Sequence, residues 1–356
     1  MDLIRDWFQR HFSDPQVAIL AALLLIGFAA VVLLGQMLAP VIAALVIAYL
    51  LEPPVRLLER LRWPRWAAVS AVFLAFMAGF LFLMLGLVPV LWQQSLLLLQ
   101  QMPYMISAVQ DLLLRLPQKY PDFVTEQQVT DLMAGLRNEI AVRGQSLLTY
   151  SVASMLGLMY FGVYLIVVPM GVFFLLKDKK RILDWIADFL PRETSLAARV
   201  WREVNQQIAN YVRGKVYEIL IVGAVTYVVF ALLGLQFALL LAALSGLAVV
   251  IPYIGAVAVT VPVALIAYFQ WGWGGDFAFA VAAYVVIHML DGNALATLLA
   301  SEVVNLHPIA VIVAILVFGG MFGFWGVFFA IPLATLVHAV LRAWPRIPRE
   351  PRALKE

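Results

Sequence analysis

Cysteine is absent from this 356-residue chain, which excludes a disulfide framework, a thiolate metal site and a thiol nucleophile. Charge is scarce too. Asp, Glu, Lys and Arg together supply 13% of the residues against 64% hydrophobic ones, and the mean hydropathy is +0.95. No water-soluble globular domain of this length carries that balance, so the chain is an integral membrane protein. The four histidines, His11, His288, His307 and His338, are too scattered for a zinc cluster. No GxxxxGKS loop argues for an ATP-driven pump, and neither HExxH nor GxSG argues for an intramembrane enzyme; "ALSG" at Ala243 to Gly246 is only a near miss. The basic residues flank apolar segments instead of forming a patch with aromatics, so no nucleic acid is expected as a partner and no cofactor is implied.

Long stretches free of charge are what the chain has instead: Pro15 to Leu51, Trp66 to Gln110, Gly144 to Leu176 and Ile219 to Gly275. Each exceeds the roughly 20 residues that span a bilayer as a helix. Their apolar residues are continuous rather than alternating, which favours helices over a β-barrel. The fold class expected is therefore an all-α polytopic membrane protein of about eight transmembrane helices, some broken or re-entrant. The spans fall at Val17 to Leu34, Met37 to Leu51, Ala67 to Leu91, Ser151 to Leu176, Ile219 to Leu233, Phe237 to Phe269, Phe277 to Leu290 and Ile309 to Leu341.

Orientation follows the basic residues. Arg56, Arg60, Arg62 and Arg65 lie between spans two and three, nine Lys and Arg lie between Lys177 and Lys215, and Arg342, Arg346, Arg349, Arg352 and Lys355 lie in the tail, whereas Gln93 to Gln145 has four. Both termini are thus expected in the cytoplasm. The organisation that follows is three N-terminal helices over 1–92, an extracytoplasmic helical insert over 93–149, a fourth span over 150–176, a basic cytoplasmic helical region over 177–217, a C-terminal core over 218–341 and a basic tail over 342–356. In the insert, Leu112, Leu113 and Leu116 and then Leu132, Leu136 and Ile140 fit amphipathic helices joined by a turn at Pro117 to Asp122. Ser195 to Gly214 is a second amphipathic stretch, suited either to the inner membrane surface or to packing within the cytoplasmic region.

Two apolar runs are too long for one straight crossing, since Phe237 to Phe269 would reach ~50 Å across a ~30 Å hydrocarbon core. Each is interrupted. "IPYIG", Ile251 to Gly255, joins Pro252 and Tyr253 to a permissive Gly255, and "FGGMFGFWG", Phe318 to Gly326, places Gly319, Gly320, Gly323 and Gly326 ahead of Pro332. Because both flanks look cytoplasmic, either both runs cross once or both fold into hairpins. Broken helices at membrane depth line cavities and bind substrates in transporters, so these breaks are candidates for shaping a path. Close helix packing through Gly319 and Gly323 is the alternative.

Between the last two runs stands "MLDGNALATLLASEVVNLHPI", Met289 to Ile309. Asp291, Asn293, Glu302, Asn305 and His307 sit there, with His288 about one turn from Asp291. Ionisable groups within a bilayer are expensive and mark ion or proton paths, which makes Asp291, Glu302, His307 and His288, with the polar Asn293 and Asn305 among them, the candidates for binding or coupling. The competing reading is local: Asp291 and Gly292 form a turn, and Asn305 caps a helix that starts near Pro308. Glu218, beside Arg213 and Lys215, is a candidate gate or else a surface ion pair. Trp63, Trp66, Trp92, Trp271, Trp273 and Trp344 fit an interfacial aromatic belt.

The block from Leu290 to Thr335, "LDGNALATLLASEVVNLHPIAVIVAILVFGGMFGFWGVFFAIPLAT", together with "IPYIG", "YVRGK" at Tyr211 to Lys215 and "AYLLEPP" at Ala48 to Pro54, resembles the autoinducer-2 exporter family in its PerM branch. The likeness extends over nearly the whole chain in layout. It implies an eight-span inner-membrane protein that assembles as a homo-oligomer, such as a pentamer, and either exports autoinducer-2 or exchanges sodium or lithium for protons. One departure is Thr297, where the pattern has Pro. A secondary transporter in a lipid bilayer, with a small-molecule or cation substrate, is the function expected. An oligomeric scaffold, or a pore without coupling, is the rival.

Overall fold

The computed structural model describes residues 15–119, 155–189, 195–252, 254–292 and 307–343, with isolated residues between 127 and 138. Among these residues the chain is helical, with no strand. The helices are α1 (Pro15–Arg60), α2 (Arg65–Phe82), α3 (Val88–Lys119), α4 (Met155–Lys177), α5 (Lys179–Asp188), α6 (Ser195–Leu232), α7 (Ala238–Ala248), α8 (Ile254–Trp271), α9 (Gly275–Leu290), α10 (Pro308–Phe328) and α11 (Ala330–Ala343). A turn of π-helix, Leu83–Leu87, joins α2 to α3. Among the described residues five helical segments are long and apolar enough to cross a membrane, including Met37–Arg60, Arg65–Gln110 and Ile309–Phe328, and shorter apolar helices accompany them. Many outward side chains are large and apolar, such as Leu25, Leu33, Met37 and Leu232, a surface that lipid accommodates and water does not.

Several elements differ from the spans read off the sequence. Val17 to Leu34 and Met37 to Leu51 are one helix of 46 residues rather than two, and Pro40, Pro53 and Pro54 lie inside it. Each proline removes a single backbone donor, a loss that a long helix in a bilayer tolerates. The span from Ala67 likewise does not end at Leu91 but runs on as α3 to Lys119, through the start of the expected turn. Ser195 to Gly214 is the first part of a 38-residue helix. Its apolar side does not lie open: Val200 and Val204 pack with Leu20 and Ala339, and Ile208 joins them. Packing, not membrane-surface binding, is what those apolar positions serve. Most of the insert after Lys119 lies outside the described residues.

The chain divides into two compact units. One comprises residues 1–70, 170–218 and 292–356, the other 71–169 and 219–291. In the first unit, Glu52 ties together helices distant in sequence. It accepts hydrogen bonds from Arg56 at 3.0 Å, Arg65 at 3.4 Å and Lys179 at 3.0 Å. Arg65 also donates to Glu59 at 3.1 Å and to the main-chain oxygen of Leu176 at 2.6 Å, and Tyr49 donates to Asn205. In the second unit the core gathers Phe230, Leu241, Val263, Ile266, Ala280 and Tyr284 from α6 to α9.

Both long apolar runs turn back on themselves. Pro252 has no N–H for the carbonyl of Ala248, which pairs instead with Ile251 N at 3.1 Å, so the helix tightens and ends. Helix α8 then returns along α7: Leu241 meets Val263, Ile266 and Ala267. Gln270 clasps the open end, accepting from Gln236 N at 2.7 Å and donating to Gly234 O at 2.8 Å. A Cβ at Gly255 would lie 1.8 Å from Ala248 O, so only glycine permits this closure. In the other run Gly323 takes φ 59° and ψ −137°, a conformation that glycine alone adopts readily. Ala330 thereby packs on Ala314 and Ile315, and a Cβ at Gly326 would lie 1.8 Å from Phe318 O. At 11 residues, α7 reaches only ~16 Å, about half the hydrocarbon core. The choice left open by the sequence is decided as hairpins in both places.

Candidate functional site

Helix α9 is apolar from Phe277 until its last turns, where Tyr284, His288 and Asp291 follow at intervals of four and three residues. That spacing puts all three on one face. Tyr284 is 1% exposed; it stacks on Phe230, and its hydroxyl donates to Ala256 O at 2.8 Å. The hydroxyls of Ser245 and Thr260 also interact with the phenol, and Thr260 donates to the same Ala256 carbonyl at 2.9 Å. One turn further, the His288 ring lies 4.4 Å from that of Tyr284. His288 Nε2 and Thr226 Oγ1 are buried without a hydrogen-bond partner, a state proteins seldom leave unexplained. Asp291 closes the face and is 9% exposed. Its backbone is αR, with its N–H on His288 O and Ile287 O, and the helical path continues through Gly292. It does not form the expected Asp291–Gly292 turn.

The same spacing recurs in the first unit. On α6, Tyr211, Lys215 and Glu218 stand four and three residues apart, beside the hairpin of α10 and α11. Tyr211 donates to Phe328 O at 2.9 Å. Pro332, in the first turn of α11, lacks the N–H that would normally reach that oxygen four residues back, which leaves it open to the phenol. Lys215 Nζ donates to Glu218 Oε2 at 2.9 Å, with side-chain exposures of 9% and 17%. The reading of Glu218 as a surface ion pair is therefore overturned: the pair is largely enclosed.

Of the candidates around the polar stretch, His288 and Asp291 share one face at the end of α9. His307 belongs to the other unit, is exposed, and acts as N-cap of α10, its Nδ1 accepting from Ile309 N at 3.3 Å with Pro308 opening the helix. The capping role expected of Asn305 thus falls to His307. Asn293, Glu302, Asn305 and Tyr253 lie outside the described residues. Gly255, Gly319 and Gly326 are close-approach positions, Gly319 against Val327; Gly323 is the reversal, and Gly320 has open space around it. Tyr284, Ser245, Thr260 and Glu52 were missed. A tyrosine four residues before an ionisable group on an apolar helix was the only available signal for the first of these.

Several transport proteins are similar to this chain in sequence. The chain is 44% identical over 345 residues to the permease PerM of Escherichia coli K12, covering 97% of this chain and 98% of that protein. The transport protein YueF of Bacillus subtilis is 24% identical over 87% of this chain and 84% of its own length. The AI-2 transport protein TqsA of Escherichia coli K12 is 22% identical over 92% and 91%. A family model described as AI-2E family transporter matches residues 19–346. The chain belongs to the AI-2E transporter family. As a member it is a multi-pass membrane permease, and both hairpins and both Tyr-led faces fall within the matched region.

Proposed function

We propose that this permease is a secondary transporter of the bacterial inner membrane, with cytoplasmic termini. It either exports a small polar solute like autoinducer-2 or exchanges sodium or lithium for protons, and it works as a homo-oligomer. Asp291, with His288, carries the coupling charge. The observation that supports this most is the burial of Asp291 at the end of an otherwise apolar helix, on the face that carries His288 and Tyr284 over a broken hairpin. A carboxylate held at such a place is costly and marks an ion path, and broken helices, such as the one that ends ahead of Pro252, are where transporters hold substrates and ions. The relative named as an AI-2 transport protein makes autoinducer-2 the first solute to assay.

The test is flux in proteoliposomes under an imposed pH gradient, with autoinducer-2 and sodium followed separately and Asp291→Asn alongside. Gradient-driven movement of one solute, abolished in the variant, is the expected result. Equal flux and equal pH dependence in wild type and Asp291→Asn would remove the residue from the mechanism.

A further inference from the structure

Helix α5, Lys179–Asp188, is amphipathic and begins two residues after the membrane helix α4 ends at Lys177. Leu183, Trp185 and Ile186 within it and Phe189 just past its end are all exposed, with Trp185 and Phe189 in edge contact at 5.1 Å. The charged side faces a depression of about 530 Å³ lined by Arg65, Lys177, Lys180, Arg181, Asp184 and Asp188 among others. A helix this apolar on one side and this open does not suit water.

Its charges run against the helix dipole. The first turn carries Lys179, Lys180 and Arg181 and no acidic residue, the last turn has no basic residue, and Asp178 at the N-cap makes no side-chain capping bond. Asp184 and Asp188 come later. Cations at the positive end of a helix are unfavourable within the protein. Lys179 is matched by Glu52; among the described residues Lys177, Lys180 and Arg181 make no ion pair although Asp178, Asp184 and Asp188 line the same depression, which leaves these cations open to an external anion. Phosphates of acidic lipids supply it at the depth where Trp prefers to sit.

We propose that α5 lies in the bilayer interface, with Leu183, Trp185, Ile186 and Phe189 among the acyl chains and Lys177, Lys180 and Arg181 against acidic phospholipid headgroups. The surface helix that the sequence suggested at Ser195 to Gly214 is thus the segment before it.

The absence of cysteine lets single substitutions carry a spin label in the full chain. Labels at Ile186→Cys and Phe189→Cys, in liposomes of phosphatidylcholine with phosphatidylglycerol, should collide with oxygen far more than with a water-soluble nickel chelate. Asp184→Cys and Asp188→Cys should show the reverse. Removing phosphatidylglycerol, or combining Lys177→Gln, Lys180→Gln and Arg181→Gln, should shift the Ile186→Cys label several-fold toward the chelate. Equal accessibility on both faces, or exclusion of both reagents at 186 and 189 as beneath a second copy or another protein, overturns the proposal. Indifference to phosphatidylglycerol overturns its headgroup half. The readout is independent of transport, so it stands or falls apart from the proposed function.

Discussion

Tyr211 donates to the main-chain oxygen of Phe328, 117 residues away, at 2.9 Å, and it is Pro332 that leaves that oxygen available. The contact joins a basic motif of α6 to the point where the last hairpin closes. Tyr211→Phe keeps the edge contact of the two rings, 6.1 Å between centroids, but strands a buried acceptor. A loss of about 1–3 kcal/mol is expected, read as a lowered Tm in detergent.

Glycine at the hairpins is a matter of space at two positions and of conformation at a third. Gly255→Ala and Gly326→Ala each drive a methyl into a carbonyl oxygen and should each cost about 1–3 kcal/mol or more. Gly323→Ala meets open space but needs φ 59°, a cost of about 1–3 kcal/mol. Gly320→Ala, with neither constraint, should melt like the wild type. Thermal melts of the four side by side check the ranking.

The enclosed Lys215–Glu218 pair predicts a non-additive cycle. Lys215→Met alone leaves a carboxylate uncompensated and should destabilise by about 3–5 kcal/mol, as should Glu218→Gln by leaving the ammonium; the double variant should be milder than either. Additive losses in denaturation measurements would mean that the two charges do not depend on each other.

Tyr284→Phe separates anchoring from coupling in the other unit. It removes the bond to Ala256 O while Thr260 still donates to that oxygen, so a stability loss of only about 1 kcal/mol is expected. If the face Tyr284, His288 and Asp291 lines the path, flux should fall by more than the melt explains. Flux per folded protein, compared with Asp291→Asn, distinguishes the two.

Much of this architecture was legible because hydropathy and helix breaking are local properties. The charge-free runs announced membrane helices, and Pro252 and Gly319 to Gly326 marked the interruptions, since a missing N–H or a missing Cβ acts on the backbone wherever it stands. Asp291 and His288 were visible as ionisable groups in apolar surroundings, and their spacing as one face of a helix. The residues between Leu34 and Met37 misled: they were read as separating two spans, yet one helix of 46 residues runs through them and through Pro40.

The sequence by itself therefore determined the class, the helical character and the positions of the breaks. Tertiary structure decided that both runs double back, that Lys215 and Glu218 are enclosed, that Val200 and Val204 pack inward rather than onto lipid, and that Tyr284 and Tyr211 serve carbonyls in distant segments. Burial and pairing depend on which remote segment lies opposite a side chain, and no local pattern along the chain encodes that.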